Sequence, residues 1–212
     1  MKNEDAVPIV YLVDDDEAVR DALGMLFKSI GLKYEAFASA LDFLQRYDSR
    51  RQSCLVADIR MPGLSGLELQ QRLNEQRSEI PIVFITGHGD VPMAVTAMKS
   101  GAVDFLQKPF RDQDLIDRIH KALDRDGELR KGRTEREEIR ARLKLLTPRE
   151  AEVMERVARG QANKVIAMDL GVSQRTVELH RARVMKKLKL RSVAELVHAI
   201  ERIGGVAIRD ST

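Results

Sequence analysis

Short apolar runs and longer amphipathic stretches alternate along the first half of the chain. Residues 9–13, 34–37, 54–58, 82–86 and 103–107 hold runs of about five positions each, the usual length of a strand. Between them, apolar positions return at steps of three and four, the spacing of one helical face. Val19, Ala22, Leu23, Leu26 and Phe27 make the first such face. Leu41, Phe43, Leu44 and Tyr47 make the next, behind Ser39 as its N-cap. Ser65 and Glu68 have the spacing of a capping box ahead of Leu69 and Leu73. Pro92 suits the first turn of a helix that carries Val95, Ala97 and Met98 and stops at Gly101. Asp112 opens a helix with Leu115, Ile116, Ile119 and Leu123. Five strand–helix units in succession predict an α/β domain, a doubly wound five-stranded parallel sheet covered on both faces.

The pattern changes near residue 124. Residues 124–138 carry almost no apolar surface and form either a linker or a solvated extension of the preceding helix. Gly127 and Gly132 each cost the helical option about 1 kcal/mol relative to alanine. Ile139, Leu143 and Leu146 resume an apolar stripe, with Glu138 and Arg142 a favourable i,i+4 pair. From Thr147 onward the pattern is all helical. Thr147-Pro148 with Glu150 opens a first helix to Gly160, and Asn163 opens a second that ends at Gly171. Ser173 caps a third to about Leu188, and Ser192 a fourth to about Ile203. The second and third, joined through Leu170-Gly171-Val172-Ser173, have the form of a helix-turn-helix. The chain thus divides into an α/β domain at 1–124, a linker at 125–145 and a small all-α domain at 146–212.

The polar residues that end the apolar runs carry the chemistry. Asp14 and Asp15 follow the first run, Asp58 ends the third, Thr86 ends the fourth and Lys108 follows the fifth. In an open parallel sheet, ligands bind at the carboxyl ends of the strands, where the strand order reverses. All of these groups would share that rim. Three carboxylates with a hydroxyl and an ammonium suit a divalent cation and an aspartyl phosphate. Asp58, alone at a central strand end, is the candidate acceptor. Each residue taken singly is more simply a turn residue or a solvated charge, and an acidic run often only marks a helix start. The set of coherent roles at independent strand ends argues against that reading. His88, between two glycines, reads as a loop residue.

Charge is unevenly placed. Residues 1–122 carry a net −4 and residues 123–212 a net +7, which favours a polyanionic partner for the second half. The single cysteine, Cys54, lies in an apolar run and reads as buried and inert. No run approaches the roughly 18 apolar residues of a membrane span, and residues 1–5 lack a signal-peptide core, so a cytoplasmic protein is expected.

Residues about 8–124 resemble the receiver domain of two-component response regulators in Val13-Asp14-Asp15-Asp16, Asp58-Ile59-Arg60-Met61-Pro62-Gly63, Thr86-Gly87-His88-Gly89-Asp90 and Lys108-Pro109-Phe110. Residues about 146–206 resemble the LuxR/FixJ-type helix-turn-helix domain, in Leu146-Thr147-Pro148-Arg149-Glu150, Asn163-Lys164-Val165-Ile166-Ala167 and the stretch from Ser173 to His180. The receiver resemblance implies strand order 2-1-3-4-5 and phosphotransfer from a sensor histidine kinase to Asp58. It implies Mg²⁺ held by Asp15, Asp58 and the backbone carbonyl of Arg60 with support from Asp14, and a cis bond before Pro109. Thr86 and Phe105 are its implied switch pair. A homodimer of the phosphorylated form, with RNA polymerase as a further partner, is the corresponding expectation.

The second resemblance implies binding to double-stranded DNA with the helix from Gln174 in the major groove. Lys164, Arg175, Thr176, Arg183, Lys186 and Lys187 are then candidates for phosphate contacts, and Glu178, Leu179 and Ala182 for base contacts. Glu178 replaces a lysine common in the NarL branch and suits cytosine N4 instead. A phosphatase of the aspartyl-phosphate kind needs a second aspartate two positions after its nucleophile, where Arg60 stands. The expected protein is therefore a regulator and not an enzyme.

Overall fold

The computed structural model describes residues 7–87 and 91–204. Two compact units divide between Arg130 and Lys131. In the first unit, β1 (Ile9–Val13), β2 (Lys33–Phe37), β3 (Ser53–Asp58), β4 (Ile82–Thr86) and β5 (Asp104–Gln107) form one parallel sheet in the order β2-β1-β3-β4-β5. Helices α1 (Glu17–Ser29), α2 (Ala40–Arg46), α3 (Gly66–Glu75) and α4 (Val91–Lys99) alternate with the strands, and α5 (Asp112–Leu143) follows the last. The three inner strands are buried throughout or nearly so, because helices cover both sheet faces. Residues alternate between those faces. Tyr11, Leu55, Phe84 and Ile82 pack with Phe43, Leu69 and Leu73 on one side. Val10, Val56, Val83 and Ile85 pack with Phe27, Leu115 and Ile119 on the other. Cys54 is fully buried in this second layer, and burial pushes its thiol far above the usual range.

The local signals act as their chemistry predicts. Ser39 caps α2, Asp16 caps α1, and Ser65 with Glu68 completes a capping box on α3. Residues 125–143, where composition left a linker or a helical extension open, are the last part of α5. Side chains hold its middle to the first unit. The buried Asp126 carboxylate accepts the Ser53 amide at 2.9 Å and pairs with Arg130, whose guanidinium also donates to the carbonyls of Ser49 and Arg50. Gly127 lies against Gln52, where a Cβ would stand 2.8 Å from the side-chain nitrogen. Gln52 uses that nitrogen to bond the Leu123 carbonyl. The residue that weakens the helix thus sits where the helix packs against Gln52.

The second unit carries α6 (Pro148–Ala158), α7 (Asn163–Asp169), α8 (Gln174–Leu188) and α9 (Val193–Arg202) around a core of Val153, Met154, Val157, Ile166, Val177, Val184, Leu188 and Leu196. Thr147 and Glu150 form the capping box of α6. Lys187 on α8 donates to the buried Glu150 carboxylate at 2.6 Å and to the Leu145 carbonyl at 3.0 Å. The bond from Lys187, with those from the Thr147 amide and hydroxyl, holds the Glu150 carboxyl down to about 2. A carboxyl depressed on folding stabilises the folded form above its unfolded value and loses that contribution as pH falls. Chemical unfolding of this unit should therefore lose about 2 kcal/mol between pH 4.5 and pH 2 that Glu150→Gln does not lose. Equal pH slopes for both proteins would refute it.

Candidate functional site

The strand order reverses between β1 and β3, and the first polar cluster lies at the carboxyl ends of β1 and β3, with Lys108 reaching it from the end of β5. Asp14 has no exposed surface. Its Oδ1 accepts the Asp16 amide at 3.0 Å and its Oδ2 accepts the Lys108 ammonium at 2.8 Å. Lys108 also donates to Asp58 Oδ2 at 3.2 Å. Asp58 Oδ1 accepts the Arg60 amide at 3.1 Å, so the strand-end turn orients the carboxylate. Asp15 is exposed at the mouth. Carboxylate oxygens of Asp14, Asp15 and Asp58 all lie within 4.8 Å of one another, a hard-oxygen set that fits a divalent cation.

The electrostatics follow from burial and pairing. Burial pushes the Asp14 carboxyl above the usual range, against the pull of Lys108 and the Asp16 amide. For Lys108, burial pulls the ammonium down, but its bonds to Asp14 and Asp58 outweigh burial and hold it above the usual lysine value. Thr86 is buried at the end of β4. Phe105, half-buried on β5, pairs in register with Phe84 and packs on the same core layer. The Lys108–Pro109 bond is cis. His88 lies outside the described residues.

Two contributors carry no sequence signal. Arg20 sends one guanidinium nitrogen to the carbonyls of Asp14 and Asp15, both at 2.8 Å, and so fixes the acidic loop from α1. Gly66 opens α3 directly beneath the acceptor strand. A Cβ there would stand 2.3 Å from the Asp58 carbonyl oxygen and 3.0 Å from the Phe84 ring.

In the second unit, the candidate recognition helix is α8. Arg175, Glu178, Leu179, Ala182, Arg183 and Lys186 are exposed along it at spacings of three and four, as is Lys164 on α7. Thr176 is half-buried, and its hydroxyl bonds Ser173 Oγ at 2.8 Å in the cap. Lys187, the remaining phosphate-contact candidate, is half-buried, and its ammonium donates to Glu150 and to the Leu145 carbonyl. Arg181 donates to Asn163 Oδ1 at 3.2 Å, tying α8 to the start of α7.

Comparison with known proteins agrees with both units. Residues 10–120 match the response regulator receiver domain, and residues 144–200 match the bacterial regulatory proteins of the luxR family. Nodulation protein W of Bradyrhizobium diazoefficiens is 47% identical over 196 residues, spanning 92% of this chain and 86% of that protein. Transcriptional regulatory protein FixJ of Azorhizobium caulinodans is 45% identical over 201 residues, 95% of each chain. The low-resolution structure of response regulator StyR superposes with a TM-score of 0.84 at 46% identity, covering 93% of this chain and all 100% of that one. Among the described residues no helix is long and apolar enough to cross a membrane.

Gly66→Ala should cost the first unit about 1–3 kcal/mol, since the added methyl meets backbone and not a yielding side chain. Urea unfolding followed by tyrosine fluorescence tests it, and a change within error of zero would show that the α3 start yields freely.

Proposed function

This chain belongs to the two-component response regulators that join a receiver domain to a LuxR-type DNA-binding domain, and from that membership we propose that phosphorylation of Asp58 controls its hold on DNA. The observation that carries the reading is the meeting at one rim of carboxylate oxygens from Asp14, Asp15 and Asp58, within 4.8 Å of one another, with Lys108 bonded to Asp14 and Asp58. A carboxylate oxygen of Asp58 attacks the phosphorus of a phosphohistidine on the sensor kinase. The P–N bond breaks, and its electron pair leaves with the imidazole. Lys108, already beside Asp58, pairs with a phosphoryl oxygen as negative charge moves outward. Asp14, Asp15, Asp58 and the Arg60 carbonyl would hold Mg²⁺, which would supply further charge neutralisation there. The Thr86 hydroxyl donates to another phosphoryl oxygen, and Phe105 follows it inward.

Phosphorylation then shifts a pre-existing equilibrium toward a dimer. An apolar surface for it is present on α4, where Val91, Val95 and Met98 face outward and Ala97 alone of the helix is buried. Dimerisation sets two α8 helices on paired half-sites and supplies avidity. Arg175, Arg183, Lys186 and Lys164 neutralise phosphates, with Thr176 at the cap beside them. Glu178, Leu179 and Ala182 read base edges. RNA polymerase is the partner through which bound protein regulates transcription.

Sedimentation in Mg²⁺ with beryllofluoride should move the wild type from monomer to dimer and leave Asp58→Asn a monomer. An equal response from both would remove Asp58 as the acceptor. On operator DNA, Arg183→Ala and Lys186→Ala should each lower the salt slope by about one, whereas Lys187→Ala should lower stability and leave the slope unchanged. A full-unit slope change for Lys187→Ala in folded protein would count it among the DNA contacts.

A further inference from the structure

The opposite edge of the receiver sheet carries a second concave site. Ile9, Lys33 and Ser53 begin β1, β2 and β3, in register with one another. At these strand starts an open pocket of about 390 Å³ is lined by Ile9, Lys28, Leu32, Lys33, Tyr34 and Arg51. Three of the six are cations and none is a carboxylate. Among the described residues, the nearby acids Asp48 and Glu35 have arginine partners outside the lining. Asp48 receives Arg50 through both oxygens, at 3.0 and 3.1 Å, and Glu35 pairs with Arg46. Arg51 Nε is buried without a hydrogen-bond partner among the described residues.

One wall is a fixed aromatic ring. Tyr34 lies across Gly24 so closely that a Cβ there would meet its hydroxyl at 2.5 Å. Phe27 packs edge-on against the ring at 5.7 Å, and the Lys28 ammonium stands 5.8 Å from its centre. Three like charges around one cavity repel one another, and a multivalent anion between them turns that repulsion into attraction. Guanidinium suits phosphate through its fork, and two ammonium groups suit it as point charges. The tyrosine face offers a surface to a planar group beside the phosphates.

We propose that this pocket binds a small phosphate-bearing molecule of diphosphate charge, at the end of the sheet remote from Asp58. The test uses the full chain carrying Asp58→Asn and 3-fluorotyrosine, without Mg²⁺, so that acceptor chemistry is silent. The only tyrosines are Tyr11, Tyr34 and Tyr47, so the basic helical unit contains none, and Tyr34→Phe identifies the Tyr34 fluorine signal. Pyrophosphate and ADP should each shift that signal saturably. Arg51→Gln and the double variant Lys28→Gln/Lys33→Gln should weaken the response about tenfold or more. A tighter response to ADP supports a base on the Tyr34 ring, and equal responses support recognition of phosphate alone. The proposal is overturned if neither compound moves the signal at millimolar concentration. It is equally overturned if the double lysine variant, which changes only exposed side chains, binds as the wild type does.

Discussion

The Lys108 ammonium against the fully buried Asp14 carboxylate is the interaction on which the receiver unit turns. A carboxylate without exposed surface is costly unless its charge is matched. Here the match comes from a residue 94 positions away in the chain, at the far side of the sheet order. The pair holds only if β1, β3, β4 and β5 lie parallel and in register, so that their ends share one rim. Asp58 joins the same ammonium at slightly longer range. With two carboxylates on one cation and Asp15 beside them, the rim keeps an excess of negative charge that a divalent cation is suited to balance.

The helical unit uses a related device for a different end. Glu150 is buried and paired with Lys187, but its other bonds go to the start of its own helix, closing the cap. That pairing ties α6 to α8 and leaves the exposed face of α8 to Arg175, Glu178, Leu179, Ala182, Arg183 and Lys186. Two basic residues adjacent in sequence, Lys186 and Lys187, therefore have different environments, since a helix turns neighbouring side chains about 100° apart.

Much of this was legible in advance, for local reasons. Strand placement followed from five apolar runs, and the helix starts at Ser39, Ser65, Thr147, Ser173 and Ser192 followed from cap chemistry that needs only a few adjacent residues. Two chain reversals gave no such warning. Arg77 and Lys189 take left-handed backbone without being glycine, so nothing in their chemistry marks the turn. On α4, periodicity set Val95 and Met98 beside Ala97, and the packing buries Ala97 alone.

The sequence by itself determined the two-part organisation, the element types, the capping residues and the position of Asp14, Asp15, Asp58, Thr86 and Lys108 at or just after strand ends. These depend on periodicity and on residue types at fixed offsets. Only the tertiary structure decided which charge answers which. It assigned Lys108 to Asp14, Lys187 to Glu150, Arg130 to Asp126 and Arg20 to the carbonyls of the acidic loop. It also decided that residues after 124 continue as helix, since Asp126, Gly127 and Arg130 fit the loop before β3. The reason is range: a cap or a strand is written in neighbouring residues, whereas a charge finds its partner only after the fold has brought distant segments together.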